Sequence, residues 1–391
     1  MRAAELLNSI PMELTDRLGR QTLVDYSVQR LRGRVMLELL LYGMLRSERL
    51  STRVLEAFYN SPLFAAVSSK DPDHQVRHTS IAERLKTIPA DYFAELVDWA
   101  YDTYMAEQRR DELTAHLYRV DSTMVRISSA LVDWGMRVGR KPKDRPQQVQ
   151  LKITLGMKGA LPRRVDIHQE QAYLAEERAL RELIEGSSHE EGQTVCFDMG
   201  LKSRATLVDF DGRGIRFITR GRKDLRYDEV GRHAAPPAEQ DGLRFVRDSR
   251  VRLYRDGGER VEHDFRLIEA EVIDGGERLY FLTNIWELDA ALVARIYRRR
   301  WDIEVLFRFL KQELNLNHLL SHSLNGIRVQ IYVTLLLAIL LSTYKSTNGL
   351  RGYKIAKLRF EEELLLHIIQ LVNSGQLDLE RLRVATPYNS T

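Results

Sequence analysis

Residues Ile296–Lys311 read Ile-Tyr-Arg-Arg-Arg-Trp-Asp-Ile-Glu-Val-Leu-Phe-Arg-Phe-Leu-Lys, and their spacing decides how the fold is interpreted. Apolar residues recur at three- and four-residue intervals, which predicts one helix through the stretch. At about 100° per residue, Tyr297 and Lys311 each lie roughly 20° from Glu304 around that helix. Arg300 lies roughly 40° from Glu304 by the same geometry. The four polar side chains are therefore expected to share one narrow stripe.

This stripe suits a metal ion held beside a phosphate group. The carboxylate of Glu304 can bind a hard cation, and the guanidinium of Arg300 can donate two hydrogen bonds to phosphate oxygens. Asp302 points roughly 160° away from Glu304 on the same helix, which disfavours it as a metal ligand. A surface ion pair between Arg300 and Glu304, worth a few tenths of a kcal/mol, explains the four-residue spacing equally well.

Two further acids follow strand-like runs. Asp121 ends the run Leu-Tyr-Arg-Val-Asp, and Asp198 ends Val-Cys-Phe-Asp. Each acid is predicted to lie at the end of a strand, where a rigid backbone can hold a carboxylate in fixed geometry for a metal. The alternative is that each Asp closes its strand as an Asx turn.

The region around these acids alternates short β-rich runs with helical patterns. Helices are predicted at Gln171–Glu185 and Lys202–Asp209. The predicted strands cover residues 117–121, 124–127, 149–155, 194–198 and 215–219. Three strands followed by helix, strand, helix and strand predict an α/β fold with a mixed sheet covered by helices.

Flanking regions have different patterns. Residues 1 to about 110 show helical spacing, with a capping box at Ser80 and Glu83, and form either a DNA-binding module or a plain helical bundle. Residues 243–284 alternate in strand fashion around two Asp-Gly-Gly turns, which predicts a β insertion. The stretch Gly221–Asp241 before it, with Pro236 and Pro237, is expected to be a mobile loop. Helix is predicted again from Asp289 to Tyr344.

Composition limits the classes of partner. The chain has 391 residues, and 59 Lys and Arg against 55 Asp and Glu give a net charge of only +4. Between Arg137 and Arg164, however, nine basic residues face one acid, Asp144, which predicts a phosphate-binding surface. A solvated basic loop without a partner is the alternative. The candidate DNA contacts within this segment are Arg140, Lys141, Lys143 and Arg145.

Cysteine content and hydropathy limit the chain's location. Cys196 is the only cysteine, so an intramolecular disulfide and a Cys-based zinc site are excluded, and its apolar neighbours predict a small core residue. The longest apolar run, Ile331–Leu341, is shorter than the roughly 20 residues of a membrane span. No signal peptide opens the chain. We therefore expect a cytoplasmic protein with no membrane contact and one buried helix near its end.

The spacing of Tyr297, Arg300, Glu304 and Lys311 resembles the Tyr-Arg-Glu-Lys signature of bacterial insertion-sequence transposases of the family numbered four, complete in residue type and spacing. The likeness covers about residues 115–345. It also includes Leu282-Thr283-Asn284, Arg300-Trp301-Asp302-Ile303-Glu304, Val329-Gln330-Ile331-Tyr332, Val120-Asp121-Ser122-Thr123 and Asp198-x-Gly200.

The resemblance implies a ribonuclease H-like core in which Asp121, Asp198 and Glu304 form the DDE triad. The triad is expected to bind two Mg²⁺ ions, with Mn²⁺ as a substitute. The resemblance further implies DNA contacts at the transposon end, and the candidates are Tyr297, Arg300, Lys311 and Trp301. Two positions depart from the family. Met199 replaces a usual basic residue, and the insertion-domain Trp of some relatives has only Tyr280 and Trp286 as candidates.

A domain division follows from these patterns. Residues 1–112 are expected to form a helical DNA-binding domain, and residues 113–222 and 286–347 the ribonuclease H-like catalytic core. Residues 223–285 are expected to form the β-rich insertion. Residues 348–391 are expected to form a helical C-terminal region.

The implied activity is DNA cleavage and strand transfer at insertion-sequence ends, in cut-and-paste transposition. Water is expected to free a 3′-hydroxyl, which then attacks target DNA. The expected partners are double-stranded DNA, as terminal inverted repeats and target, and a second copy of the chain in a synaptic dimer. The protein is expected in the bacterial cytoplasm, with the nucleoid when bound to DNA. Two alternatives stay open: a non-catalytic or domesticated DNA-binding protein derived from a transposase, and a nuclease of the same core.

Overall fold

Helices form the N-terminal part of the chain in the computed structural model, which describes residues 2–106, 114, 116–127, 135–138, 148–233, 239–255 and 257–376. They are α1 (Ala3–Asn8), α2 (Met12–Thr22), α3 (Gly33–Arg46), α4 (Thr52–Tyr59), α5 (Pro62–Val67), α6 (His78–Thr87) and α7 (Ala90–Met105). Ser51 sets the start of α4, because its Oγ accepts a hydrogen bond from the backbone N–H of Val54. The predicted helical character of this part of the chain is confirmed.

The capping box predicted at Ser80 and Glu83 does not form. Helix α6 begins two residues before Ser80, at His78. The backbone N–H of His78 donates to Oε2 of Glu56 at 2.7 Å, and Glu83 forms an ion pair with Lys86 at 2.6 Å. A side chain from another helix therefore satisfies the first turn, which the local sequence does not reveal.

A mixed sheet forms the middle of the chain. Its strands are β1 (Leu117–Ile127), β2 (Met136–Val138), β3 (Gln148–Lys158), β4 (Leu161–His168), β5 (Thr194–Phe197), β6 (Arg216–Arg220), β7 (Tyr227–Arg232), β8 (Glu239–Gln240), β9 (Leu243–Tyr254), β10 (Arg260–Val272) and β11 (Arg278–Thr283). Their order is β2-β3-β1-β5-β6-β11-β10-β9-β7, with β4 beside β3 and β8 beside β9. Strands β1, β5 and β6 run parallel, whereas β3 and β11 are antiparallel to their neighbours. The predicted mixed α/β architecture is confirmed.

Strand β1 is longer than predicted. The two separate runs expected at 117–121 and 124–127 form one strand, because Ser122 and Thr123 stay extended and pair with Thr154 and Ile153 on β3. Strand β3 also continues further, to Lys158, and turns into β4, which the sequence analysis missed.

Helices cover both faces of the sheet. A 3₁₀ turn (Gln171–Leu174) and α8 (Glu176–Glu185) connect β4 to β5, α9 (Arg204–Gly212) connects β5 to β6, and α10 (Ala290–Arg298) follows β11. One apolar core lies between the sheet and helices α8 and α9, and a second core includes α10. Tyr118 and Val120 belong to the first core and Leu117 to the second. Because side chains alternate along a strand, Asp121 points toward the face covered by α10.

The single helix predicted through Glu304 is interrupted. Helix α11 (Trp301–Gln312) follows α10 after a short turn. The backbone N–H groups of Arg299 and Arg300 donate to carbonyls three residues back, at 3.0 and 2.9 Å, which tightens the chain relative to an α-helix. Tyr297 therefore precedes the break and Glu304 follows it, so the prediction of one continuous helical stripe is wrong.

Strands β7 to β11 continue the same sheet beyond β6 and occupy the predicted β insertion. Strands β7 and β8 lie within 221–241, so the expectation of a mobile loop is wrong for those strands, while Pro236 and Pro237 lie outside the described residues. Arg266 and Asp248 form a buried ion pair at 2.7 Å between β10 and β9. Arg266 also donates to the carbonyl of Ile285 at 3.1 Å, which connects this part of the sheet to the segment before α10.

Helices α12 (Leu324–Thr347) and α13 (Tyr353–Asn373) complete the described chain. Contacts divide the protein into two compact units, Met1–Arg109 with Phe307–Thr391 and Arg110–Leu306. Within the first unit, α12 packs against α3, α6, α7 and α13. Among the described residues α12 is the one helix long and apolar enough to cross a membrane, but 78% of its apolar window is buried inside the protein. The four-region division expected from the sequence stays a prediction.

Candidate active site

Asp121 lies inside strand β1, so the predicted position at a strand end is wrong. Its neighbours Ser122 and Thr123 continue the pairing with β3. The Asp121 side chain is buried, with only 8% of the residue exposed. The backbone N–H of Ser122 donates to Oδ1 of Asp121 at 2.8 Å and orients the carboxyl group. A position within a paired strand holds this acid more firmly than a strand end would.

Asp198 directly follows β5, as predicted. Its Oδ1 accepts a hydrogen bond from the backbone N–H of Gly200 at 2.7 Å. Its carbonyl oxygen accepts one from Oγ1 of Thr219 on β6 at 3.0 Å. A Cβ added at Gly200 would lie 2.8 Å from Asp198 Oδ1, so any other residue here would displace that carboxylate.

Glu304 lies in the first turn of α11 and contacts Arg300. Arg300 Nη2 forms an ion pair with Glu304 Oε1, and Arg300 Nη1 lies 3.7 Å from Asp121 Oδ2. The guanidinium therefore lies between the first and the third acid. The four-residue ion pair between Arg300 and Glu304 forms, but the Arg300 side chain is only 14% exposed, so it is not a surface pair.

Charge at the site is only partly neutralised. Burial, together with the nearby Asp198 and Glu176, raises the pKa of Asp121 to about 7, against the lowering effects of the Ser122 N–H and Arg300. Burial lowers the pKa of Arg300, but Tyr297, Glu304 and Asp121 together raise it above its ordinary value. Asp121 is consequently a carboxyl group that a positive charge would stabilise in its ionised form.

Tyr297, near the end of α10, packs beside Arg300, which lies in the turn that follows this helix. The Arg300 guanidinium carbon lies 5.7 Å from the centroid of the Tyr297 ring, and Phe281 makes an edge contact with the same ring at 5.6 Å. Burial raises the pKa of Tyr297 to about 12. Tyr297 is therefore a neutral, buried support for Arg300 at ordinary pH.

The three acids fit a hard divalent cation in their chemistry, because Asp121, Asp198 and Glu304 offer only carboxylate oxygens. Burial of Asp121 near Asp198 also places like charges together. Within the described residues, no group of three or more His, Cys, Asp or Glu side chains is placed to hold a metal. Oε1 of Glu304 is paired with Arg300.

Asp302 has a structural partner on β1. Arg119 Nη1 donates to Asp302 Oδ2 at 2.8 Å, and only 1% of the Arg119 side chain is exposed. Arg119 Nη2 also donates to the carbonyl of Gly159. The ion pair joins α11 to the strand that carries Asp121.

Sequence reasoning missed Glu176, the first residue of α8. Ser122 Oγ donates to Glu176 Oε1 at 2.5 Å, beside Asp121. In the sequence Glu176 is one of several charged residues in a helical pattern, and nothing in its local spacing distinguishes it from its neighbour Glu177. Only the packing of α8 against β1 brings it to the site.

Only some of the remaining candidate DNA contacts lie within the described residues. Arg140, Lys141, Lys143 and Arg145 lie outside the described residues. Trp301 is 51% exposed at the start of α11, and Lys311 lies near the end of the same helix. Lys152, counted in the basic segment, is buried and donates to the carbonyl of Leu174 at 2.9 Å. It therefore cannot belong to a basic surface.

Neither candidate for a base-stacking residue in the insertion presents a free ring. Trp286 packs edge-on against His233 at 5.3 Å and lies under Arg250 at 5.3 Å. Tyr280 packs against the core beneath helices α8 and α9. Both aromatic residues contribute to packing within the sheet region.

Comparison with known proteins extends this description. The family described as "Transposase DDE domain" matches residues 117–341. A putative transposase, y4zB, of Sinorhizobium fredii is 26% identical over 229 residues, which cover 59% of this chain and 61% of the relative. A putative transposase for insertion sequence element IS4SA of Synechocystis sp. is 32% identical over 81 residues, or 21% of this chain and 24% of the relative. The chain thus spans about three fifths of the first relative's length.

A solved structure was also compared. The cryo-EM structure of a piggyBac transposase synaptic complex with hairpin DNA has a TM-score of 0.47 and 11% sequence identity. The alignment covers 100% of this chain and 86% of that one.

Proposed function

This chain belongs to the transposase DDE domain family, and on that premise we propose that it cleaves DNA strands at the ends of an insertion sequence and joins them to target DNA. One observation carries the proposal. Asp121 interacts electrostatically with Asp198 and Arg300, and Arg300 is paired with Glu304, although the three acids come from distant parts of the chain. We assign Asp121, Asp198 and Glu304 as the DDE triad.

The protein groups have distinct roles in this proposal. Asp121, Asp198 and Glu304 would hold Mg²⁺, which when bound activates the attacking oxygen and stabilises the leaving oxygen of an in-line displacement. The Ser122 N–H keeps the Asp121 carboxylate oriented. Released from Glu304, Arg300 offers a planar pair of N–H donors that matches two phosphate oxygens.

DNA strand cleavage and joining would proceed as two displacement reactions at one site. Water attacks the phosphodiester at the element's end and releases a 3′-hydroxyl. That hydroxyl would then attack a phosphodiester of target DNA and form the new ester bond, while the target's own P–O3′ bond breaks and leaves a 3′-hydroxyl on the target strand. Tyr297 keeps Arg300 near the reacting phosphate, and Lys311 adds a second positive charge on α11.

Divalent metal use is general in this family, and the choice of ion belongs to the proposal. Three carboxylates without a Cys or His ligand favour two Mg²⁺ ions, with Mn²⁺ as a substitute. The further proposed properties are a ribonuclease H-like core, a synaptic homodimer on terminal repeats, and a cytoplasmic location on the nucleoid. The four-region division and the DNA-contact role of Trp301 and the basic segment belong to the same proposal.

An end-cleavage assay tests the proposed function. The substrate is duplex DNA carrying the inverted repeats that flank the gene, with and without Mg²⁺. Asp121→Asn, Asp198→Asn and Glu304→Gln should each abolish cleavage while retaining DNA binding, because each removes one carboxylate charge and little volume. The matched control is Asp209→Asn, on the half-exposed surface of α9.

The outcomes separate the alternatives. Cleavage retained in one triad variant removes that residue from the triad. Cleavage without joined products indicates a nuclease of the same core. DNA binding by the wild type without any Mg²⁺-dependent cleavage indicates a non-catalytic derivative.

A further inference from the structure

Glu176 lies between the backbone segments that carry the first two acids of the triad. Its Oε1 accepts a hydrogen bond from Ser122 Oγ at 2.5 Å, directly after Asp121. Its Oε2 approaches Gly200, because a Cβ built there would lie 2.6 Å from Glu176 Oε2 and 2.8 Å from Asp198 Oδ1. The carboxylates of Glu176 and Asp198 therefore flank the same glycine.

Neither of these two carboxylates forms an ion pair with a described Lys, Arg or His side chain, although Lys152 acts on Glu176 at longer range. Arg300 lies within 4 Å of Asp121 and Glu304. Across the described part of the chain, no Lys, Arg or His nitrogen comes within 4 Å of the Glu176 or Asp198 carboxylate. Two neighbouring carboxylates without a cation repel each other, and a bound divalent ion would remove this cost.

Lys152, a buried lysine that acts on Glu176, already has a hydrogen-bond acceptor. Lys152 interacts electrostatically with Glu176, but its Nζ donates to the carbonyl of Leu174 at 2.9 Å. The next residue on α8 has a different role. Glu177 Oε1 accepts the backbone N–H of Ser203, at the start of α9, at 2.8 Å. Glu176 is thus the carboxylate of this helical turn that faces the triad.

We propose that Glu176 is a fourth carboxylate of the active site, whose charge acts with Asp198 to hold a divalent cation. The inference rests on the proposed function, since it assumes that the triad binds the ion. It adds a residue that the triad pattern does not contain and that no spacing in the sequence marks.

The test measures Mn²⁺ binding to the full chain without DNA, from the electron paramagnetic resonance signal of free Mn²⁺. Glu176→Gln removes the charge but keeps an acceptor for Ser122. Ser122→Ala removes the hydrogen bond but keeps the charge. Glu177→Gln removes the same charge from the same helical turn, and Asp198→Asn serves as the triad reference.

The expected result is a selective loss of affinity. Glu176→Gln and Asp198→Asn should each weaken Mn²⁺ binding roughly tenfold or more. Ser122→Ala and Glu177→Gln should stay within about twofold of the wild type, because neither removes a charge that faces the triad. Glu176→Asp keeps the charge and should bind more tightly than Glu176→Gln, which tests the proposal even if the Gln variant is unstable.

Other results overturn the inference in distinguishable ways. Wild-type affinity in Glu176→Gln, with weakened binding in Asp198→Asn, refutes the role of Glu176 and leaves the triad intact. Weakened binding in Ser122→Ala alone makes Glu176 a hydrogen-bond partner and nothing more. If Asp198→Asn binds Mn²⁺ as the wild type does, or the wild type binds none, the proposed cation site itself is wrong.

Discussion

At the scale of single residues, the site depends on how buried charge is compensated. Asp121 is an acid inside a paired strand, with Asp198 and Glu176 nearby and one arginine shared with Glu304. Desolvation and like charges both disfavour its ionised form. A cation would therefore stabilise the ionised site, and the free energy of unfolding should depend on the protonation of this residue.

The variant Asp121→Asn tests whether the free energy of unfolding depends on the protonation of Asp121. Folded Asp121 keeps its proton up to about pH 7, whereas an unfolded Asp loses it near 3.8, so the wild type loses stability as pH rises between these values. Asn does not ionise, so the Asp121→Asn variant does not lose stability in this way as the pH rises. In the presence of a chelator, we expect the variant to be more stable than the wild type by roughly 1 to 4 kcal/mol at pH 8.

Thermal melting between pH 5 and 8 measures this difference. The gap between Asp121→Asn and wild type should widen with pH, and Asp209→Asn, the same change at a half-exposed position, is the control. A gap that is the same at pH 5 and pH 8 would show that burial does not disfavour the Asp121 charge.

At the scale of secondary-structure elements, the sequence predicts the type of each element better than its limits. The strand runs around Asp121 and Asp198 are correct in kind because β-branched and aromatic residues dominate them. The break between α10 and α11 is not visible, because Arg299 and Arg300 are ordinary helix formers. Arg300, in this turn, lies 3.7 Å from Asp121 on β1, a tertiary contact that the local sequence does not reveal.

The same limit explains why Glu176 and Arg119 escaped prediction. Arg119 alternates with apolar residues in β1 and looks like an exposed strand position. Its burial becomes clear only when Asp302 and the Gly159 carbonyl are seen to accept its hydrogen bonds. The three acids proposed as the triad, in contrast, stand in distinctive local motifs, so the sequence could single them out as candidates.

The Arg119–Asp302 pair should matter for stability. Asp302→Ala leaves a buried guanidinium without its carboxylate, although Asp302 is itself about one third exposed. We expect a loss of about 1 to 3 kcal/mol in the free energy of unfolding, discounted for that exposure. Asp209→Ala removes a surface partner of Arg213 and should cost less than about 1 kcal/mol.

The decrease in melting temperature relative to the wild type is measured for Asp302→Ala and for Asp209→Ala. A larger decrease for Asp302→Ala supports the pair as the contact that fixes the start of α11 against β1. Equal decreases would mean that the pair contributes no more than an exposed one.

At the scale of the whole molecule, two compact units and one mixed sheet form the framework. The sequence predicted helices at both ends and a mixed sheet between them, since periodicity differs clearly among these regions. It did not predict that α12 belongs with the N-terminal helices by contact, because long-range packing leaves no local pattern. The number of basic residues between Arg137 and Arg164 was also a weak guide to surface charge, because Lys152 is buried.

The central claim is that Asp121, Asp198 and Glu304 share divalent cations at a DNA end. The most direct measurement is a crystal structure of the full chain with Mn²⁺ and a duplex carrying its terminal repeat, with the ions located by anomalous scattering. We predict Mn²⁺ in direct contact with carboxylate oxygens of all three acids, and Arg300 moved from Glu304 to a phosphate. Mn²⁺ bound elsewhere, with Glu304 still paired to Arg300, would contradict the assignment.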